Sequence, residues 1–251
     1  MATNSNSNDN GNDLPWYDYI PAQLWVPEHV THLRIGFQEA LVAAQNGSTP
    51  EIIDLQSHFC RRHPNLQQVQ IHAHTVKWVP VLAFNRCLGL QKVEFVAANT
   101  GPSSIAAATT ATTTVASDPP VERTFRGIDD SAFTGCIKLR AIIGLETVSF
   151  SLGYIADHAF QSCDKLMTFE FSGLTELHNL ADYAFYDCTS LTVVDLSHSV
   201  WLDSMGEFAF SNCKALMMVH LPPKLEWIGS CLFRECSSLG SIVIPALVTR
   251  M

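Results

Sequence analysis

Charge is scarce in this sequence. Only 16% of its 251 residues are Asp, Glu, Lys or Arg, and 24 acidic residues outweigh 15 basic ones for a net charge of −9. That balance argues against nucleic acid or an anionic membrane as partner, since both are held by clustered Lys and Arg. No apolar run reaches the ~18 to 20 residues of a membrane-crossing helix. The opening residues, MATNSNSNDNGND, carry neither a basic start nor an apolar stretch, so no secretory signal is expected and the expected location is the cytoplasm. Cys-x-x-Cys is missing, which removes the commonest zinc and redox signature. No Gly-rich phosphate loop, Ser-His-Asp arrangement or isolated carboxylate pair stands out, so no enzyme and no cofactor is expected.

What the chain does have is apolar residues, 47% of the total, and they recur in one phrase. Its clearest copies run from Ile155 to Phe171, Leu180 to Leu196 and Met205 to Leu221. Superimposed, they read apolar-x-x-x-Ala-Phe-x-x-Cys-x-x-Leu-x-x-apolar-x-apolar. Phe160, Phe185 and Phe210 mark a 25-residue period, and a fixed period of that size predicts a solenoid.

Taken in order, residues 1–13 have almost nothing to bury and are expected to be a disordered tail. Residues 14–96 read as an N-terminal cap followed by irregular repeats. Leu14 to Ile20 is aromatic and suits a cap over the first coil, although Trp16 and Tyr19 could instead form a ligand platform. Val26 to Ile35 alternates like a strand, and Gln38 to Gln45 contains helix formers stopped by Asn46-Gly47. Asn46-Gly47-Ser48 also matches a glycosylation sequon, for which a turn is the simpler reading. Leu55 to Ile71 follows the phrase loosely, with Phe59 and Cys60 at the Ala-Phe positions and His63 at the Cys position. Val79 to Phe95 is a full copy. Residues 97–121 are Ala, Thr, Ser and Pro and read as a flexible insertion between coils. Residues 122–251 are regular repeats, the last from Ile228 to Ile244. An uncovered final strand would invite self-association through the C-terminal edge, unless the last residues fold over it.

The phrase explains its own residues. Leu-x-x-apolar-x-apolar is a short strand whose alternate side chains face one core. Coils stacked ~4.8 Å apart would bring Phe onto Phe and Leu onto Leu. Each buried apolar side chain then contributes roughly 1.5 to 3 kcal/mol, so stacked repeats are stable where a single one is not. Turns are expected where Gly, Asp and Asn gather between the anchors. Ala159-Phe160 with Cys163, Leu166 and Phe169, Ala184-Phe185 with Cys188, Leu191 and Val194, and Ala209-Phe210 with Cys213, Leu216 and Val219 closely resemble the BspA-type leucine-rich repeat family. Leu221-Pro222 and Ile244-Pro245 resemble its strand-ending Leu-Pro. The resemblance implies an α/β repeat solenoid, a leucine-rich-repeat horseshoe with a curved parallel β-sheet on the concave side. The convex side would carry short helical or 3-10 turns and loops. It also implies protein binding on the concave sheet, and bacterial relatives are often surface adhesins, which gives one alternative function.

Six of the eight cysteines, Cys87, Cys136, Cys163, Cys188, Cys213 and Cys236, hold one repeat position and read as a ladder of buried, reduced thiols. Cys60 and Cys231 stand off it and are the candidates for reactivity. Six of ten histidines lie between residues 29 and 74, and His72 and His74 are expected at a strand end in solvent. Cys60, His63, His72 and His74 could be drawn as a thiol or metal-dependent enzyme site, the other alternative, but their spacing is a poor metal signature.

The strand residues between core positions point outward in two columns. Gln68, Lys92, Ala141, Thr168, Val193, Met218 and Ser241 form one; Gln70, Glu94, Ile143, Glu170, Asp195, His220 and Val243 form the other. Thr168, Glu170, Val193, Asp195, Met218 and His220 make a mixed apolar and acidic strip, suited to a protein or peptide partner carrying basic residues.

Overall fold

Short parallel strands return at the period of the phrase. The computed structural model describes residues 15–19, 26–46, 52–96, 125–145 and 152–250. The expected tail at 1–13, the insertion at 97–121 and the Gly47-Ser48 part of the sequon lie outside the described residues.

Every coil but the last supplies a strand of two to five residues from the end of the phrase. These are β2 (His32–Ile35), β3 (Gln68–His72), β5 (Lys92–Val96), β7 (Ala141–Ile143), β9 (Thr168–Phe169), β11 (Val193–Asp195) and β13 (Met218–His220). Alternation sets what they bury: Val93 and Phe95 enter the core while Lys92 and Glu94 stay at the surface. The apolar residue that opens the next phrase closes a two-residue strand. This set is β4 (Trp78–Val79), β6 (Gly127–Ile128), β8 (Tyr154–Ile155), β10 (Asn179–Leu180), β12 (Ser204–Met205) and β14 (Trp227–Ile228). It forms a second, wholly parallel sheet in that order. β5 pairs with β7 and β4 with β6, so the coils on either side of residues 97–124 stack directly.

Between the sheets lies the expected Phe column. Phe84, Phe133, Phe160, Phe185 and Phe210 stack with centroids 5.2, 5.2, 5.0 and 5.3 Å apart and near-parallel rings, and Phe233 follows at 5.9 Å. Such spacing adds about 0.5–1.5 kcal/mol per pair beyond area burial. Phe59 and Cys60 occupy the Ala-Phe positions as expected, with one difference. The ring of Phe59, one residue early, packs edge-on against Phe84, while Cys60 takes the backbone place of Phe.

The corners are turns, and their chemistry differs from the expectation. Two residues per coil, the one before Ala and the one before Cys, take positive φ: His158 and Ser162, Tyr183 and Asp187, Phe208 and Asn212, Cys231 and Glu235. Few of these are residues that favour the left-handed region. Stacking holds them there. His158, Phe160 and Ser162 donate their N–H groups to the carbonyls of Asp182, Ala184 and Tyr186 in the next coil, and later coils repeat the ladder.

At the N-terminal end, β1 (Tyr17–Asp18) pairs with β2, and Tyr19 is buried against Phe59. Tyr19 therefore serves as a cap and not as a ligand platform. The helix α1 (Phe37–Asn46) falls on the expected helix formers. At the other end, Ile228 and Thr249 donate backbone N–H groups to the carbonyls of Arg250 and Glu226, so residues 249–250 cover the edge of β14. The final copy departs from expectation: residues 240–244 form no strand, and Ile244 is exposed.

Candidate functional site

The outward columns exist, but they do not form one unbroken strip. The long-strand sheet runs β1-β2-β3-β5-β7-β9, and β11 pairs only with β13. After β9 the chain turns into a 3-10 segment, Phe171–Gly173. That coil places Phe169 and Phe171 at the two inward positions filled by Val194 and Leu196 in the next coil. The two rings lie 4.6 Å apart and pack against Phe185. We attribute the break to this extra bulk. Thr168 stays with the first sheet, paired with Ala141, and Glu170 stands at the start of the 3-10 turn. The other four expected residues come together: Val193 faces Met218 and Asp195 faces His220 in register.

This cluster has defined chemistry. Val193 is 42% exposed and Met218 50%. Met167 and Met217, each one residue before the column and not part of it, are also exposed. Asp195 Oδ1 accepts hydrogen bonds from the Ser197 hydroxyl at 2.7 Å and the Ser197 N–H at 3.1 Å, and His220 Nδ1 lies 3.4 Å away. The Ser197 hydroxyl chiefly holds the Asp195 carboxyl below its usual range, so it stays ionised.

The N-terminal part of the same sheet is spent internally. Arg34 donates to Gln70, Gln70 to Glu94, and Lys92 pairs with Glu94 at 3.2 Å. Arg34 also lies over the rings of Trp16 and Phe37. These groups bind one another, which leaves the β11–β13 cluster as the more available surface.

The thiol and metal reading fares differently. Cys60 is buried, and burial pushes its thiol well above the ordinary range. It is not the reactive cysteine that its place off the ladder suggests, because a nucleophile needs accessible thiolate. Its carbonyl instead accepts the Cys87 thiol at 3.0 Å. Every ladder cysteine does the same to the coil before it: Cys136 to Phe84, Cys163 to Phe133, Cys188 to Phe160, Cys213 to Phe185 and Cys236 to Phe210, at 3.1 to 3.3 Å. Burial raises these thiols, Cys87 to about 12. His63 takes the Cys place and uses both nitrogens: Nδ1 accepts from the Leu66 N–H, so Nε2–H donates to the Pro27 carbonyl at 2.9 Å. His72 is not in solvent; it is 4% exposed, edge-on to Phe37. Burial lowers its pKa to about 4. Among the described residues, no group of three or more His, Cys, Asp or Glu could hold a metal ion.

The comparisons agree with this architecture. The family description "BspA type Leucine rich repeat region" matches in six copies over residues 53–149, 104–204 and 126–251. No curated protein matches the chain. Among solved structures, a T. pallidum leucine-rich repeat protein is 21% identical, covering 76% of this chain and 72% of its own, with a TM-score of 0.57. A leucine-rich cell surface protein of Faecalibacterium prausnitzii is 16% identical over 78% and 72%, with a TM-score of 0.29. A leucine-rich repeat protein of Bacteroides ovatus is 17% identical over 87% and 68%, with a TM-score of 0.24. The first likeness carries the fold; the other two are too loose to carry an argument. With the repeat phrase, the stacked coils and the family match in agreement, the chain belongs to the BspA-type leucine-rich repeat family.

Proposed function

We propose that this protein is a non-enzymatic protein–protein interaction module. Its partner is a protein or peptide segment bearing basic and apolar residues, bound on the concave sheet around β11 and β13. The observation that carries the reading is the registered pair of pairs: exposed Val193 against Met218, beside the ionised Asp195 against His220. Exposed apolar side chains next to a held carboxylate fit an aliphatic residue flanked by Lys or Arg. The Met side chains adapt to more than one apolar shape. The thiol ladder depends on S–H donors, which favours a reducing compartment, and we assign the protein to the cytoplasm on that ground.

The test is affinity capture from source-cell lysate with the wild-type chain and with a Glu170→Gln, Asp195→Asn, Met218→Ser variant. The expected result is a partner held by the first and lost by the second, with superimposable melting curves. Equal capture by both would remove this face from consideration.

A further inference from the structure

The Cys ladder is flanked by two outward columns, one residue before it and one after. In the four later coils both columns are polar: Ser162, Asp187, Asn212 and Glu235 before, Asp164, Thr189, Lys214 and Ser237 after. The three earlier coils depart from this in both columns together. Before the ladder stand Arg62, Arg86 and Gly135; after it stand Pro64, Leu88 and Ile137. These six residues and His63 line a groove of about 610 Å³ on the corner turns.

Three features make this a site of stated chemistry. Leu88 is 52% and Ile137 40% exposed, one coil apart, so the groove has an uncovered aliphatic wall. Arg62 and Arg86 form the opposite wall, also one coil or ~4.8 Å apart. Neither has a carboxylate partner among the described residues, in a chain whose net charge is −9. Gly135 keeps the groove open. Its φ is +73, and a Cβ there would come within 3.2 Å of Arg86 Cγ. His63 has both ring nitrogens engaged, with the Pro27 carbonyl and the Leu66 N–H.

We propose that this groove binds an extended acidic peptide that alternates carboxylate and aliphatic side chains. An extended strand sends successive side chains to opposite sides. Lying along the solenoid, such a peptide gives its carboxylates to the Arg62 and Arg86 guanidiniums, which bind them bidentately. Its aliphatic side chains meet Leu88 and Ile137. The site is on the corner turns, apart from the β11–β13 cluster, and takes a ligand of opposite charge.

Fluorescence anisotropy tests this on the full chain with three labelled probes: a repeating Asp-Leu hexapeptide, its Asp-Gly counterpart and its Asn-Leu counterpart. The Asp-Leu probe is expected to bind at least about tenfold tighter than either counterpart, since both walls contribute. Arg62→Gln with Arg86→Gln should weaken it by about tenfold or more, the loss of two charge-assisted contacts. Leu88→Ser with Ile137→Ser should weaken it by at least about threefold. Asp195→Asn with Met218→Ser should leave it unchanged. All four groove side chains are exposed, so far-ultraviolet dichroism should show each variant folded. Equal binding of Asp-Leu and Asp-Gly, no saturable binding of Asp-Leu, or indifference to the Arg substitutions would each overturn the proposal. Concentration-dependent dimerisation abolished by Arg62→Gln with Arg86→Gln would put a second copy of the chain there and overturn it equally.

Discussion

At the scale of the residue, burial decides what each sulfur and imidazole can do. The ladder thiols from Cys87 to Cys213 are enclosed, hydrogen-bonded and raised in pKa, and Cys236 is hydrogen-bonded and half-buried, whereas Cys231 is exposed at a positive-φ corner. Under native conditions at pH 8, one thiol per chain should therefore react quickly with a maleimide, and peptide mapping should find it at Cys231. Rapid modification of Cys60 would contradict its burial. The ladder itself is legible in the sequence, because six cysteines at one repeat position admit few other readings. The different fates of Cys60 and Cys231 are not legible there, since both look equally irregular. His72 departs from expectation for a related reason: the sequence puts it at a strand end, and only the packing of Phe37 at the start of α1 against it shows that it is buried. Its folded pKa of about 4 lies below the unfolded value near 6.5. Its neutral form therefore contributes stability that is complete above pH 6.5 and lost as pH falls toward 4. The loss amounts to at most about 3.5 kcal/mol, from ~1.4 kcal/mol per pKa unit. Urea melts of wild type and His72→Leu at pH 7 and pH 4.5 should show a smaller acid loss in the variant. Parallel losses would assign the acid sensitivity to other groups.

At the scale of the element, a coil is held by ladders that only neighbouring coils complete. Phe185 touches Phe160 and Phe210 on either side and the inserted pair Phe169 and Phe171. Phe185→Ala should cost about 3–5 kcal/mol, the usual range for a buried ring. A cost near ~1 kcal/mol, read from chemical denaturation, would mean that the column relaxes around the cavity. The column can be foreseen from spacing alone. The two-residue strands cannot, because a single apolar residue such as Ile155 or Leu180 shows no alternation. The left-handed corners are equally hidden, because Asn212 and Gly135 share that role with residues such as Tyr183 and Phe208 that give no such signal. One glycine in the short-strand sheet is nevertheless specific. A Cβ on Gly127 would lie 2.3 to 2.5 Å from the Tyr154 ring, whose hydroxyl donates to Asp129 Oδ1 at 2.6 Å. The outward face of that sheet thus has a fixed tyrosine that the repeat phrase never announces.

At the scale of the whole molecule, stability is a sum over coils and the contacts between them, so it varies along the chain. Coils between β6 and β12 have a neighbour on each side, and their anchors Phe133, Phe160, Phe185, Leu139, Leu166 and Leu191 are fully buried. In the coil from 228 to 244, Phe233, Cys236, Leu239 and Ile242 are only partly buried. Val243, expected in an outward column, is 85% exposed with no strand around it. This gradient also bears on function. Of the β11–β13 cluster, β11 belongs to the enclosed coils, while β13 lies one coil from the weaker end, where opening costs least and a partner can order what it binds. Hydrogen exchange should accordingly be slowest at the ladder amides between Phe133 and Met205 and fastest at those of 231–248, with β13 between. A basic partner peptide bound at Asp195 and Met218 should slow exchange at β11 and β13 more than at β3 and β5. The acidic Asp-Leu probe should instead slow exchange at the corners near Arg86 and Gly135. Uniform protection along the chain would mean that the coils open as one unit, and end-to-end differences in burial would then have no bearing on where partners bind.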